Sequence, residues 1–232
     1  IYLAMMAEGF LGYVLPYGQM SYWGAQVIIS LFGAIPYVGE SLELWVRGDY
    51  YISGITVSRF FALHVVALPL ILIALVFLHL VALHEVGAGN PEGVDIEEHL
   101  DEDGVPLDSV PFFPYKVLNG LVAIGVFMTV FAIIMFFFPE GGGYFIEMAN
   151  FQEANPLVTP DHIAPVWYDA PFYTMLRAIP DPLGGLIVMA AAVAIFFIVP
   201  WLDRSKVASI RYKGIYSKIA ITLFGVSFLT LG

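Results

Sequence analysis

Four stretches of this chain, residues 60–83, 117–138, 183–202 and 214–232, each run for close to twenty residues with at most one Lys, Arg, Asp or Glu. About twenty apolar residues in an α-helix cross the hydrocarbon core of a bilayer, so each stretch is a candidate span. Residues 1–15 form a further apolar part-segment. The composition agrees with this reading: 59% of residues are hydrophobic, 16% aromatic and 12% charged, and the mean hydropathy is +0.83. A soluble globular domain is far more polar. The expected class is therefore all-α, a polytopic transmembrane helix bundle. Residues 1–15 have no charged leader and no small-residue cleavage site, so they are not read as a signal peptide. Both termini lie within apolar sequence, which suggests a piece of a longer protein. With no cysteine, the chain itself forms no disulfide and offers no thiolate to a metal or an iron–sulfur cluster.

Between the spans lie residues 16–59, 85–116, 139–182 and 203–213. Lys and Arg are retained on the cytoplasmic side of a membrane, whereas acids count for little. The last loop and its flank carry Arg204, Lys206, Arg211, Lys213 and Lys218, while 139–182 carries only Arg177. The last loop is thus assigned to the cytoplasm. Alternation places 85–116 on that side and both 16–59 and 139–182 on the outer side. Six acids at Asp95, Glu97, Glu98, Asp101, Glu102 and Asp103 account for much of the net charge of −11. They read as a solvated loop. Residues 21–32 are expected to form a short amphipathic helix at the interface, with Tyr22 and Trp23 as anchors. A second short helix is expected from Pro165, because proline suits a first helical turn. No internal repeat divides the chain.

His64 and His79 interrupt an otherwise apolar span, where an ionisable side chain is costly and points to function. Fifteen residues of α-helix rise roughly 22 Å and turn about 60° beyond four full turns. Both imidazoles can then face one bundle interior at two depths, too far apart to share a metal. They can each hold one of two cofactors, and neutral imidazole is a common haem ligand. Two other readings stay open here: each histidine hydrogen-bonds a neighbouring helix, or the pair relays protons in a proton-coupled transporter.

The stretches Gly12-Tyr-Val-Leu-Pro-Tyr-Gly-Gln-Met-Ser-Tyr-Trp-Gly-Ala25, Arg59-Phe-Phe-Ala-Leu-His64, His79-Leu-Val-Ala-Leu-His-Glu85, Asn155-Pro-Leu-Val-Thr-Pro160 and Pro165-Val-Trp-Tyr168 together resemble cytochrome b of the ubiquinol:cytochrome c oxidoreductase. They occur in the family's order over nearly the whole chain. The resemblance implies two haem b groups, ubiquinol and ubiquinone as substrates, and proton translocation. His64 would ligate the haem near the quinol-oxidising side, and His79 the haem near the opposite side. Their axial partners would lie on an earlier helix, in the N-terminal part of cytochrome b that this sequence lacks. Further implied partners are a Rieske iron–sulfur protein, a c-type cytochrome subunit, a second copy of the complex and membrane lipid, with no nucleic acid. The implied organisation is a haem-binding part at 1–84, an acidic cytoplasmic loop at 85–116 and a C-terminal helical part at 117–232, whose loop 139–182 serves the quinol pocket.

By the same resemblance Gly18, Arg59, Gly24, Ala25, Tyr173 and His84 contact cofactor or quinone, Trp23 lines the quinol pocket, and Pro165, Trp167 and Tyr168 belong to the quinol-oxidising site, to which Asp169 is added on its proximity in sequence alone. Arg59 and Arg177 either pair with haem propionates or snorkel to the interface. The sequence departs from the family in three places. Mitochondrial members separate their two histidines by one residue fewer, and an extra residue turns a helix by about 100° unless a bulge or the kink at Pro69 absorbs it. Val166 replaces a glutamate credited with accepting a quinol proton, leaving Asp169, Glu153 and Tyr168 as candidates. A lysine–aspartate pair at the start of the next helix is not reproduced at Lys116, Asn119 and Gly120. The first two of these departures favour a bacterial inner membrane over a mitochondrial one.

Overall fold

The computed structural model describes residues 1–87, 92, 95, 98–107, 109–207 and 209–231. Glu97 and Gly232, assigned above to the acidic loop and the last span, lie outside the described residues. Among the described residues every regular element is helical: α1 (Tyr2–Val14), α2 (Gln19–Ser30), α3 (Gly39–Arg47), α4 (Gly54–Val86), α5 (Val117–Phe137), α6 (Ala170–Ala178), α7 (Pro182–Leu202) and α8 (Ile215–Leu231). Helices α4 and α7, and α5 together with the turn before it, are long and apolar enough to cross a membrane. The chain is an integral membrane protein of the all-α class. Aliphatic and aromatic side chains cover the outer faces of these helices, as expected where lipid or neighbouring helices replace water.

Helix α4 starts earlier than its apolar run, because Ser53 caps it: the Ser53 hydroxyl accepts from Ile55 N at 3.3 Å, and the Thr56 hydroxyl accepts from Ser53 N at 3.1 Å. Such reciprocal caps satisfy the free amides of a first turn. Within α4, residues Leu63–Ala67 form a π-turn, in which Leu68 N donates to Leu63 O. The cause is Pro69, which has no N–H to return to the helix. A π-turn holds one residue more than an α-turn. The surplus residue between His64 and His79 is thus absorbed beside His64, and the rest of the helix keeps its phase.

The buried core is Leu11, Val14, Tyr22, Ala25, Ile29, Ile52 and Phe60, where α1, α2 and the start of α4 meet. The sequence places α2 at the surface, but it is the most enclosed element, with Ser21 and Ile29 fully buried. Tyr22 is 3% exposed and packs edge-on against Tyr17 and Trp23, so it is a core residue. The reason is a second layer supplied by residues 147–158. Gln19 N donates to Gln152 O at 3.0 Å, Gln19 Nε2 to Val158 O at 2.9 Å, Asn155 N to Gln19 Oε1 at 2.7 Å and Ser21 N to Asn150 Oδ1 at 2.8 Å. The two long loops assigned to one side form one body. On the opposite assignment, Arg211 and Tyr212 of the basic loop both reach Glu92.

Gly18 sits in this seam, where an added Cβ would lie 2.0 Å from the Asn150 carbonyl oxygen. Backbone cannot step aside cheaply. Gly18→Ala is expected to destabilise the protein by about 1–3 kcal/mol, the usual cost of overpacking. Thermal unfolding of the purified protein in detergent would register this as a lowered midpoint; an unchanged midpoint would show that the seam yields.

Candidate functional site: an aromatic slot beside an intramembrane histidine

A slot opens between the two joined loops. Its walls are Gly9, Phe10, Tyr13 and Val14 of α1, Gly24, Ala25, Val27 and Ile28 of α2, and Ile163 to Val166 with Tyr168, Asp169 and Tyr173. Gly24 and Ala25 carry almost no side chain, so a flat ring can lie against backbone there. The Pro165 segment does not begin a helix as expected. It turns instead, Asp169 N donating to Val166 O at 2.9 Å, and α6 begins at Ala170 with Pro171 in its first turn. The physical rule held, at a different proline. This turn puts Val166, Tyr168 and Asp169 on the slot.

Trp167 points elsewhere, stacking on Tyr144 with ring centroids 5.5 Å apart. Trp23 is likewise outside the slot, its Nε1 donating to Asn155 O at 3.3 Å. Both indoles fix loops that bear the lining. Glu153 also stands off, exposed and joined through its backbone to Gly18. Next to the slot lies a larger cavity of about 560 Å³, bounded by Tyr2, Met6, Phe172, Phe196, Phe197, Phe224 and Phe228, and it shares Tyr168 and Asp169 with the slot.

Burial pushes the Asp169 carboxyl above its ordinary value, because desolvation penalises the charged form. No side-chain hydrogen bond caps α6 from this residue, so its oxygens are free to take a proton. Burial first, and the neighbouring Asp169 second, push the Tyr168 hydroxyl up. It therefore stays a donor. Glu147 is also raised by burial, with His162 pulling it back down.

His64 stands at the other side of α1. Its Nδ1 lies 3.0 Å from Glu8 O and 3.2 Å from Glu8 Oε1. An added Cβ on Gly12 would lie 2.5 Å from His64 Cε1, so only glycine admits the ring there. The donor set fits a haem: Nδ1 is engaged by oxygen acceptors, which leaves Nε2 as the free ligand atom. His79 is on the exposed face of the same helix. Arg59 does not reach into the bundle; its Nη1 donates to Trp45 O at 3.0 Å, and it lies across Gly48. Arg177 is placed 5.7 Å from the centre of the Tyr173 ring. His84 and Glu85 flank an open hollow with Phe77, Leu80 and Val81, and His84 Nδ1 is 2.8 Å from Leu80 O.

Sequence reasoning missed the four lining residues of α1 and the Glu8 carboxylate. Glu8 carried the signal that singled out the histidines, an ionisable group in an apolar stretch. The lining of α1 had no local signal, because its function comes from a loop more than 140 residues away.

Fold and site define a polytopic membrane protein with intramembrane histidines on one helix and an aromatic slot between two interhelical loops. Residues 1–171 match the family described as cytochrome b(N-terminal)/b6/petB, and residues 153–232 match cytochrome b(C-terminal)/b6/petD. The chain belongs to the cytochrome b family. It is 55% identical to a cytochrome b from Allochromatium vinosum, covering all of this chain and 58% of that protein. It is 47% identical to one from Rickettsia bellii, covering all of this chain and 55% of that protein. A solved hyperthermophilic respiratory Complex III contains a chain with TM-score 0.87 and 33% identity, matched over 99% of this chain and 59% of that one. The chain thus spans little more than half the length of the relatives it matches, and those two curated relatives are bacterial.

Proposed function

We propose that this chain forms the central part of the haem-bearing subunit of a respiratory quinol:cytochrome c oxidoreductase in a bacterial inner membrane. The observation that supports it most is the convergence of Gly24, Ala25, Pro165, Val166, Tyr168, Asp169 and Tyr173 on one slot, one helix from His64. Two haem b groups, one held by His64 and one by His79 with axial partners on an earlier helix, would supply one-electron carriage across the membrane.

Quinol enters from the bilayer through the cavity of aromatic rings, which receives an apolar tail, and its ring seats against Gly24 and Ala25. The slot itself holds only about 50 Å³, so Tyr168, which is 44% exposed, swings aside as the ring enters. Each quinol releases two protons and two electrons on becoming quinone. Val166 has no acceptor; Asp169 takes one proton on the border between slot and cavity, and the other is released to the outer aqueous side. Tyr168 donates a hydrogen bond to a quinol oxygen. One electron would go to the haem held by His64 and on to that held by His79, for quinone reduction near His84; the other would go to a Rieske iron–sulfur protein and a c-type cytochrome on separate chains. Gly18 and Arg59 support the loops around this site rather than touching quinone.

The test is an optical redox titration of the native complex. Dithionite should develop b-type haem bands, and added quinol should reduce them. A complex without b-type bands would refute the reading and leave proton relay by His64 and His79 in its place.

A further inference from the structure

Helix α1 carries one charged residue, Glu8, among twelve uncharged ones. A carboxyl group in such a segment is costly and needs a partner. Its partner is His64: the imidazole Nδ1 is 3.2 Å from Glu8 Oε1 and 3.0 Å from the Glu8 carbonyl oxygen, so one N–H is shared between two acceptors of the same residue. The other carboxylate oxygen, Oε2, is buried with no hydrogen-bond partner among the described residues. One turn on, at the i+4 position of the same face, Gly12 leaves the space into which the ring leans. Glu8 and Gly12 together therefore form a seat for one particular orientation of one imidazole.

We propose that Glu8 is a positioning residue for His64, which fixes the ring by Nδ1 with Nε2 presented to iron and lowers the reduction potential of the haem that His64 holds. A histidine ligand whose outer N–H faces a carboxylate is more basic than one that faces a carbonyl alone. A more basic ligand, with a negative group beside it in a medium of low dielectric, favours the ferric state over the ferrous state. Among the described residues no carboxylate pairs with His79. The carboxylate thus sets the His64 site apart from the His79 site, making the His64 side the weaker electron holder and directing electrons towards His79.

This inference rests on the reading of His64 as a haem ligand, and the two can fail separately. Spectroelectrochemical titration of the intact complex would compare wild type with Glu8→Gln, Glu8→Asp and Glu8→Leu. In E8Q the ratio of reduced to oxidised haem at the His64 site, at a fixed ambient potential, should rise about tenfold, which is about 59 mV for a one-electron couple. The second haem should titrate as in wild type, and E8D, which keeps a carboxylate, should stay close to the wild-type potential. An unchanged potential in E8Q overturns the inference, including the case in which quinol oxidation alone falls. Should E8Q fail to assemble, E8L replaces it with the same expectation. Failure of E8Q and E8L with normal E8D supports the need for a carboxylate, and failure of all three counts against it. If a His64 variant retains both haems, it is the haem reading that falls, whatever Glu8 does.

Discussion

Replacing His64 with leucine should remove half of the b-haem absorbance from the assembled complex and reduce quinol oxidation to background. Two readings of this residue predict effects of very different size. If His64 served only to join α4 to α1, its loss would remove one intramembrane hydrogen bond, an interaction worth about 0.6 kcal/mol on average, and haem content would stay intact. If it ligates iron, one cofactor is lost outright. The leucine also strands the Glu8 carboxylate, whose Oε2 already lacks a partner among the described residues, and an orphaned buried polar group costs about 1–3 kcal/mol. The double variant H64L/E8L removes that penalty. It should assemble better than H64L and still show half the haem, by reduced-minus-oxidised difference spectra normalised to protein. Full haem content in the double variant would refute ligation by His64.

Asp169→Asn should slow quinol oxidation by about a hundredfold, the lower end of what a positioned proton acceptor contributes. It should also alter the shape of the pH profile. Burial holds the Asp169 carboxyl above its ordinary value, and only its deprotonated form accepts a proton. In wild type the rate should climb as pH rises through that elevated value, and D169N should lack this limb. Tyr168 and Tyr2 are the titratable neighbours on the adjoining elements. Stability runs the other way. The folded state keeps this proton to higher pH than the unfolded chain, so the contribution of Asp169 falls as pH rises from the ordinary carboxylate value to the raised one. D169N is spared that loss. Placing glutamate at Val166 in the D169N background supplies a new acceptor on the same turn and should recover part of the rate. A D169N enzyme with the wild-type pH profile would remove Asp169 from the mechanism.

Three of the four spans were legible because an apolar run of bilayer length fits little besides a membrane, and α4, α5 and α7 fall on them to within several residues; the fourth run forms α8, Ile215–Leu231, which is apolar but shorter than the other three. Starts were less legible. Helix α4 begins at Gly54, not at residue 60, because Ser53 and Thr56 form a cap that a hydropathy window ignores. The π-turn could be anticipated as a need, from Pro69 and the spacing of the histidines, but not as a location. Helix α2 reads as a surface helix because its cover, residues 147–158, is remote in sequence. The same distance hid the α1 lining of the slot. Trp167 shows the limit of reading a motif as a list of contacts: it is in the motif, but its ring stacks on Tyr144 and its neighbours on either side face the slot.

The hydrogen bonds that join Gln19, Ser21 and Trp23 to residues 150–158 also bear on how such a chain can be divided. They tie the part before the acidic loop to the part after it at a point far from their covalent link. Once both parts are in the bilayer, the peptide connection through residues 88–110 no longer keeps them together; it only sets the concentration at which they meet. A gene cut within that stretch would yield two polypeptides that recognise each other through main-chain groups, two amide side chains and one indole. Subunit boundaries in a protein of this kind are therefore free to move, provided the cut falls on the acidic side and leaves the seam whole.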